Sequence, residues 1–302
     1  VTGFERVSLA INHREADRVP KGEWTLGPSL ISGLLGKEGP PAWEDEAAAR
    51  ELLGMDLVAV APPDPDRTAP DPDRLDYSLF HRWRQETDLF VFALIDGPFE
   101  RAAHRMGFLE FLAAVGKQDD RIEKMAAREA ELGLESARRC LRAGAHGVIL
   151  ADDIAYNRGT FIRPALLRRT FLPLWRDQVQ ALDGVPVFFH SDGNLSDLLP
   201  DLASARFHGL HSLEPTAGMD MARIKQEYGP KLCLWGNVDL GWLAGQEDED
   251  EIEDGVQDLL QAAAAGGGYI FGTSSGCLGD DLPPDRVLGL YKAAGKYNRY
   301  PE

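Results

Sequence analysis

Cysteine is scarce in this chain of 302 residues. Only Cys140, Cys233 and Cys277 occur, too few and too scattered for a disulfide framework. A reducing cytoplasm is therefore the expected compartment. Long apolar runs are also missing. None approaches the roughly 18 to 20 residues that a membrane span needs, and the charged opening VTGFERVSLAINHREADRVP lacks the apolar middle of a signal peptide. Positive charge is in deficit, with 32 Lys and Arg against 49 Asp and Glu, a net charge of −17. A field of that sign repels nucleic acid and anionic membrane surfaces, so neither is expected as a partner. There is no internal repeat and no low-complexity tail.

What is present is an ordinary globular balance, 44% hydrophobic and 27% charged. Short apolar runs end in polar or glycine-rich turns at residues 56–63, 88–98, 146–153, 185–193, 208–215, 231–239 and 267–276. KGEWTLGP (21–28) reads as a first strand. Runs of this kind suit parallel strands covered on both faces. Helical patterns lie between them, at 119–144, 163–182, 219–229 and 246–268. The last packs its acids at the start, where the helix dipole favours them, and reads as a solvated helix start rather than a docking patch. Eight strands alternating with helices, without a break in composition, predict one α/β domain over 1–302, a single (β/α)8 TIM-type barrel. The Pro/Asp-rich stretch 64–74 is expected to form part of a lid.

Active sites of such barrels sit at the C-terminal ends of the strands. The residues just after each apolar run are Glu23 and Trp24, Asp96, Asp152 and Asp153, His190 and Asp192, His211 and Glu214, Asn237 and Asp239, and Cys277. Arginine and lysine are nearly absent there, so the site cradles neither phosphates nor many carboxylates. His190 and Asp192, two apart in extended chain, face the same way. With Cys277 they form a feasible zinc set of one N, one O and one S ligand, with room for an exogenous fourth. The competing reading has His190 bonding a neighbouring strand and Asp192 capping a helix that begins near Asn194. Cys140 and Cys233 read as small core hydrophobes. Of the adjacent pair Asp152 and Asp153, one serves as base or ligand and the other caps a helix, with Asp152 the candidate catalytic group beside Glu23. Trp24, Asp96, Glu214 and Asn237 are candidate substrate contacts. His211 reads as a satisfied rim residue. Phe92 or Phe188 would pack an aromatic substrate if they face inward, and are otherwise core.

Several stretches, TGFERVSLAINHREADRVP, HSDGNLSDLLPDL, GLHSLEPTAGMDMARIKQEYG, KLCLWGNVDL and SSGCLGDDLPPDRVLGLYKAAGKY, resemble the uroporphyrinogen decarboxylase superfamily over nearly the whole chain. That resemblance implies a distorted (β/α)8 barrel. It offers two activities, decarboxylation and corrinoid-dependent methyl transfer. The decarboxylases carry an arginine-rich segment after the first strand. Here KGEWTLGPSL holds Glu23 and no arginine, which excludes uroporphyrinogen as substrate. The methyltransferases with a thiol acceptor bind zinc through His–x–Cys and a later Cys. His190 matches the His and Cys277 the later Cys, while Asp192 stands where the first Cys is expected. Exchanging a thiolate for a carboxylate makes a bound zinc the stronger Lewis acid. The implied function is an O-demethylase-type methyltransferase, carrying methyl from a small methoxylated compound, such as an aryl methyl ether, to the Co(I) corrinoid (cobalamin) of a separate protein. The alternatives are the reverse half-reaction from methylcobalamin to a thiol or other acceptor, and a non-catalytic barrel that binds a corrinoid or tetrapyrrole. No corrinoid-binding module is visible in this chain, and the sequence leaves a homodimer open.

Overall fold

The computed structural model describes residues 1–63, 70–246 and 248–300. Seven parallel strands run in chain order around one curled sheet: Leu57–Val60, Phe90–Asp96, Gly147–Ala151, Val187–Ser191, Gly209–Ser212, Cys233–Val238 and Tyr269–Thr273. The segment expected as a first strand closes the barrel by two parallel bridges only, Lys21 to Phe271 on one side and Gly22 to Leu57 on the other. Beyond them it leaves the barrel wall, and Thr25–Leu26 pairs instead with Cys277–Leu278. The architecture is a TIM-type (β/α)8 barrel.

Side-chain alternation along the strands separates two cores. Leu57, Ala59, Phe90, Phe92, Ile149, Phe188, Cys233, Trp235 and Ile270 point into the barrel. Val58, Val60, Val91, Ala93, Val148, Leu150, Val187 and Phe189 point outward, under the helices. The interior is crowded with rings, and glycine makes the room. A Cβ on Gly147 would stand 2.9 Å from the ring of Phe92. Phe92 and Phe188, both 0% exposed, are therefore core, as is Cys233. The N-terminal helix Gly3–Ile11 packs Val7, Ala10 and Ile11 against this interior cluster.

The helices follow the sequence patterns. Residues 119–144 give one long helix, Arg121–Ala143, ended at Gly144, while 163–182 splits into Pro164–Thr170 and Leu172–Ala181. Glu249–Ala263 carries three acids in its first turn and is capped by the Asp248 side chain. Among the described residues no helix is long and apolar enough to cross a membrane. Of the expected lid, residues 64–69 lie outside the described residues. Its flank is tied down, since Pro70 O accepts from Arg101 and Pro72 O from Arg139, each at 2.9 Å.

Candidate active site

His190 is next to last in the strand Val187–Ser191, and its side chain is 5% exposed. It belongs to the inward-facing row, one layer above Phe188. Asp192 follows two residues later on the same face, and Asp153 comes two residues after the neighbouring strand Gly147–Ala151. His190 Nε2 lies 3.6 Å from Asp153 Oδ1 and 3.9 Å from Asp192 Oδ1. The three ligand atoms all fall within 4.8 Å of one another. Asp192 N donates to Asp153 Oδ1 at 2.9 Å, and Ser212 Oγ donates to Asp192 Oδ1 at 3.0 Å. Both carboxylates are therefore oriented by the loops that carry them. No helix begins near Asn194, so Asp192 is not a cap; the next helix is Leu199–Ser204.

Burial pushes the His190 imidazole below its ordinary pKa, while Asp153 and Asp192 pull it the other way. Burial also raises the Asp192 carboxyl. A neutral imidazole facing two carboxylates has no positive charge of its own to offer them. The arrangement suits a divalent cation. Two ligands roughly 2.0–2.2 Å from one tetrahedral zinc stand roughly 3.3–3.6 Å apart, close to the separations seen here. One nitrogen and two oxygens are a hard donor set with a fourth position free.

Cys277 is not part of this cluster. After Tyr269–Thr273 the chain turns, and pairing of Cys277 with Thr25 holds the residue at an exposed edge. The third member of the cluster is Asp153. A second correction concerns Asp152. It is 0% exposed and accepts from Glu100 N at 2.7 Å, Phe99 N at 3.3 Å and Trp175 Nε1 at 2.7 Å. It clasps the start of the helix Pro98–Met106, and burial pushes its carboxyl up to about 7. The member of the pair that faces the site is Asp153.

Glu23 is likewise sealed in the fold. Its oxygens accept from Thr273 N at 2.7 Å, Thr273 Oγ1 at 2.8 Å and Tyr291 OH at 2.6 Å, with no exposed surface. It ties the closing segment to the last strand and the C-terminal helix Pro284–Tyr297. Expected as a catalytic group, it is bonded at both oxygens within the fold and has no surface open to the barrel mouth. Trp24 does reach the site, with its ring centroid 4.4 Å from that of His190 and 4.6 Å from that of His211. Among the described residues its buried Nε1 has no hydrogen-bond partner.

The remaining residues ring the mouth. Asp96 ends the strand Phe90–Asp96 and lines a cleft of ≈ 410 Å3 with Pro62, Leu75, Leu94, Arg101 and His104. Glu214 Oε2 accepts from Gly193 N at 3.0 Å and so braces the turn after Asp192. Asn237 is 5% exposed and donates from Nδ2 to Leu213 O at 2.7 Å. His211 is not on the rim. It is 0% exposed, beneath the site, with its Nδ1 2.8 Å from His190 Nδ1. Sequence reasoning also missed Glu100, whose carboxyl is raised to about 8 by burial and by the nearby Asp153, Asp152 and Asp96. The signal was available. A strand followed directly by Gly97-Pro98 starts a helix at the barrel mouth, so its first turn carries residues to the site.

Residues 64–297 match the family model described as "Uroporphyrinogen decarboxylase (URO-D)". The chain belongs to the uroporphyrinogen decarboxylase family. Among solved structures, a methyltransferase from Methanosarcina mazei is similar to this URO-D family chain with TM-score 0.80 at 19% sequence identity, over 98% of this chain and 99% of its own. A B12-independent methionine synthase from Shewanella sp. W3-18-1 is similar with TM-score 0.60 at 13% identity, over 93% of this chain and 96% of its own. At these identities the likeness is one of fold. No curated protein matches the chain.

Proposed function

We propose that this URO-D family protein is a methyltransferase which moves the methyl group of a small methoxylated compound, of the aryl methyl ether class, to the Co(I) corrinoid of a separate protein. The observation that carries this reading is the convergence of Asp153, His190 and Asp192 at the mouth of the barrel. The full-length likeness to a methyltransferase fold supports it. In the reaction the C–O bond of the ether breaks, the methyl carbon goes to the corrinoid, and the oxygen keeps the bonding pair. That oxygen leaves as an alkoxide or phenolate and must be stabilised. Zinc held by the three residues would act as a Lewis acid on it. Asp153 and Asp192 supply the charge that holds the cation, and His190 supplies the nitrogen. Trp24, packed against His190, walls the inner side of the site. Asp96, Glu214 and Asn237 remain the candidate contacts for the rest of the substrate.

Decarboxylation does not suit this chain, despite the name of its family. The first arginine after the segment KGEWTLGPSL, Arg50, is 0% exposed and donates to Glu23 O at 2.9 Å and Trp24 O at 2.6 Å. It has no access to a substrate carboxylate. A thiol acceptor is disfavoured by the donor set, since two carboxylates tune a bound thiolate less well than soft ligands do.

The test is anaerobic incubation of the purified protein, loaded with zinc, with Co(I) corrinoid and a panel of methoxylated arenes. Appearance of the methyl-Co(III) absorption together with the demethylated product is expected. If neither forms with any donor, while methyl-Co(III) corrinoid is demethylated by an added thiol, the direction is reversed. Catalysis of neither reaction would remove the methyltransferase reading.

A further inference from the structure

One stretch of this acidic chain is free of acid. Residues 154–170, IAYNRGTFIRPALLRRT, hold four arginines and no Asp or Glu. They follow Asp153 directly. Residues 154–163 form the antiparallel hairpin of Ala155–Tyr156 with Gly159–Thr160 and its exit to the helix Pro164–Thr170. Arg168 and Arg169 are paired, with Asp201 and with Glu123. Arg158 and Arg163 are exposed, and among the described residues neither side chain has a hydrogen bond or an ion pair.

The same hairpin carries exposed rings. Tyr156 stacks on Phe161 at a centroid distance of 5.7 Å, and Phe161 meets Phe108 edge-on at 5.1 Å. Phe108 opens the short helix Phe108–Gly116, with Leu109 next to it. These four side chains are between 37% and 81% exposed. Apolar side chains scattered singly over a surface are ordinary. Rings in mutual contact, edged by unpaired arginine, have instead the composition of a protein interface.

The patch is continuous with the candidate site. The hairpin starts two residues beyond Asp153, and Tyr156 O accepts from Asn194 N, two residues beyond Asp192, at 2.9 Å. Ile154 N donates to Ser191 Oγ at 3.1 Å. Both contributing segments, 98–116 and 154–163, follow strands directly and so belong to the face from which a barrel site opens. A small methyl donor has no use for side chains that point out from this face. A protein that must bring its cobalt to the donor's methyl carbon has to cover the rim. A second copy of this chain would instead bring a further charge of −17 and lie across the entrance.

We propose that Phe108, Leu109, Tyr156 and Phe161, flanked by Arg158 and Arg163, form the docking surface for the corrinoid-carrying protein, which meets it with an apolar face edged by carboxylates. The arginines fix the orientation of approach, and the rings supply the contact area. This inference rests on the methyl-transfer reading given above, and its test separates the two.

Two methyl acceptors are compared, protein-free cob(I)alamin and the corrinoid protein. The latter is retained on immobilised wild type from an anaerobic extract of the source organism, recognised by its bound cobalt corrinoid, and purified for titration. Leu109→Ser and Arg158→Glu alter exposed side chains only. Arg138→Glu makes the same charge change on the helix Arg121–Ala143, near the end that leads to the start of the strand Gly147–Ala151, away from the mouth. With free cob(I)alamin all three variants should stay within about twofold of wild type. With the corrinoid protein, Leu109→Ser and Arg158→Glu should each raise the half-saturating concentration about tenfold or more. Arg138→Glu should not. The loss in Arg158→Glu should shrink as salt is added. Half-saturation unchanged in both patch variants would overturn the proposal. So would a wild type that methylates free cob(I)alamin and retains no corrinoid protein. Self-association of wild type by light scattering, lost in Leu109→Ser, would give the patch to a second copy and overturn it too. If wild type methylates neither acceptor from any donor, the methyl-transfer reading fails, and the docking proposal falls with it.

Discussion

Asp152 and Asp153 are consecutive in the chain and turn their carboxylates to different tasks. Asp152 points into the wall, to the N-terminal turn of Pro98–Met106 and the Trp175 indole. Asp153 lies on the open side, 3.6 Å from His190. The separation follows from extended backbone, in which successive side chains leave on opposite faces. Four predictions follow from this division and from the packing around it.

Cation binding should depend on Asp153, His190 and Asp192 and not on Cys277. His190→Ala should abolish measurable Zn2+ or Co2+ uptake, and Asp153→Asn should weaken it by at least about tenfold, since each would remove one of the three proposed ligands. Cys277→Ser should stay within about twofold of wild type. Elemental analysis and Co2+ titration check this. Loss of the metal in the serine variant, with retention in Asp153→Asn, would restore the thiol to the site.

Removing Asp152 should cost stability rather than chemistry. Three donors lose their acceptor in Asp152→Ala, one of them a buried indole N–H. The expected cost is about 2–4 kcal/mol by urea unfolding. Activity per folded molecule should remain within a few-fold of wild type. A fully stable but inactive variant would contradict the assignment.

Glu23 should leave a signature in the pH dependence of stability. Burial raises its carboxyl from an ordinary value of 4.5 to about 7. Between those values the folded protein holds a proton that the unfolded chain has lost. Stability must therefore fall as pH rises through this window, by an amount on the order of 3 kcal/mol from this group. Glu23→Gln has nothing to titrate, so its stability should gain on wild type from pH 4.5 to 7. Unfolding free energies at four or five pH values measure this. Parallel curves would mean that Glu23 is ionised throughout.

The turn after Asp192 should not tolerate a side chain at Gly193. Its φ is +82°, and a Cβ there would stand 2.6 Å from Tyr156 N. Gly193→Ala is expected to cost about 1–3 kcal/mol. It should also weaken Co2+ binding, because relief of the clash moves the segment that carries Asp192. A variant with native stability and native affinity would show that the turn has slack.

Much of the barrel was legible because burial writes itself into local pattern. Each of the seven apolar runs from residues 56–63 to 267–276 contains one of the seven sheet strands. Continuous apolar runs are what parallel strands covered on two faces require. The segment 21–28 was harder. Its apolar content resembles a strand, but Gly22 gives way to the buried Glu23, and the chain leaves the sheet after two bridges. That departure depends on Thr273, Tyr291 and Cys277, all some 250 residues away, and no local window contains them.

The site divides along the same line. Spacing placed His190 and Asp192 on one face, because a two-residue step in extended chain permits nothing else. Choosing between Asp152 and Asp153 required knowing that an indole from residue 175 and backbone from residues 99 and 100 would meet one of them. The exclusion of Cys277 depended on which edge the chain pairs with after its last strand. His211 looked like a rim residue because it ends an apolar run. Only the packing of Trp24 and Trp235 around it revealed a buried partner for His190.

The sequence alone determined the alternation of strand and helix, the parallel barrel, the acidic surface and the inward direction of His190 and Asp192. Each of these follows from local periodicity or from composition, which a linear chain carries openly. The tertiary structure decided which carboxylates are spent on holding the fold and which stay open beside His190, and which nitrogen of His190 faces them. Those assignments depend on partners brought together from distant parts of the chain, and a side chain's chemistry is set by whatever ends up beside it.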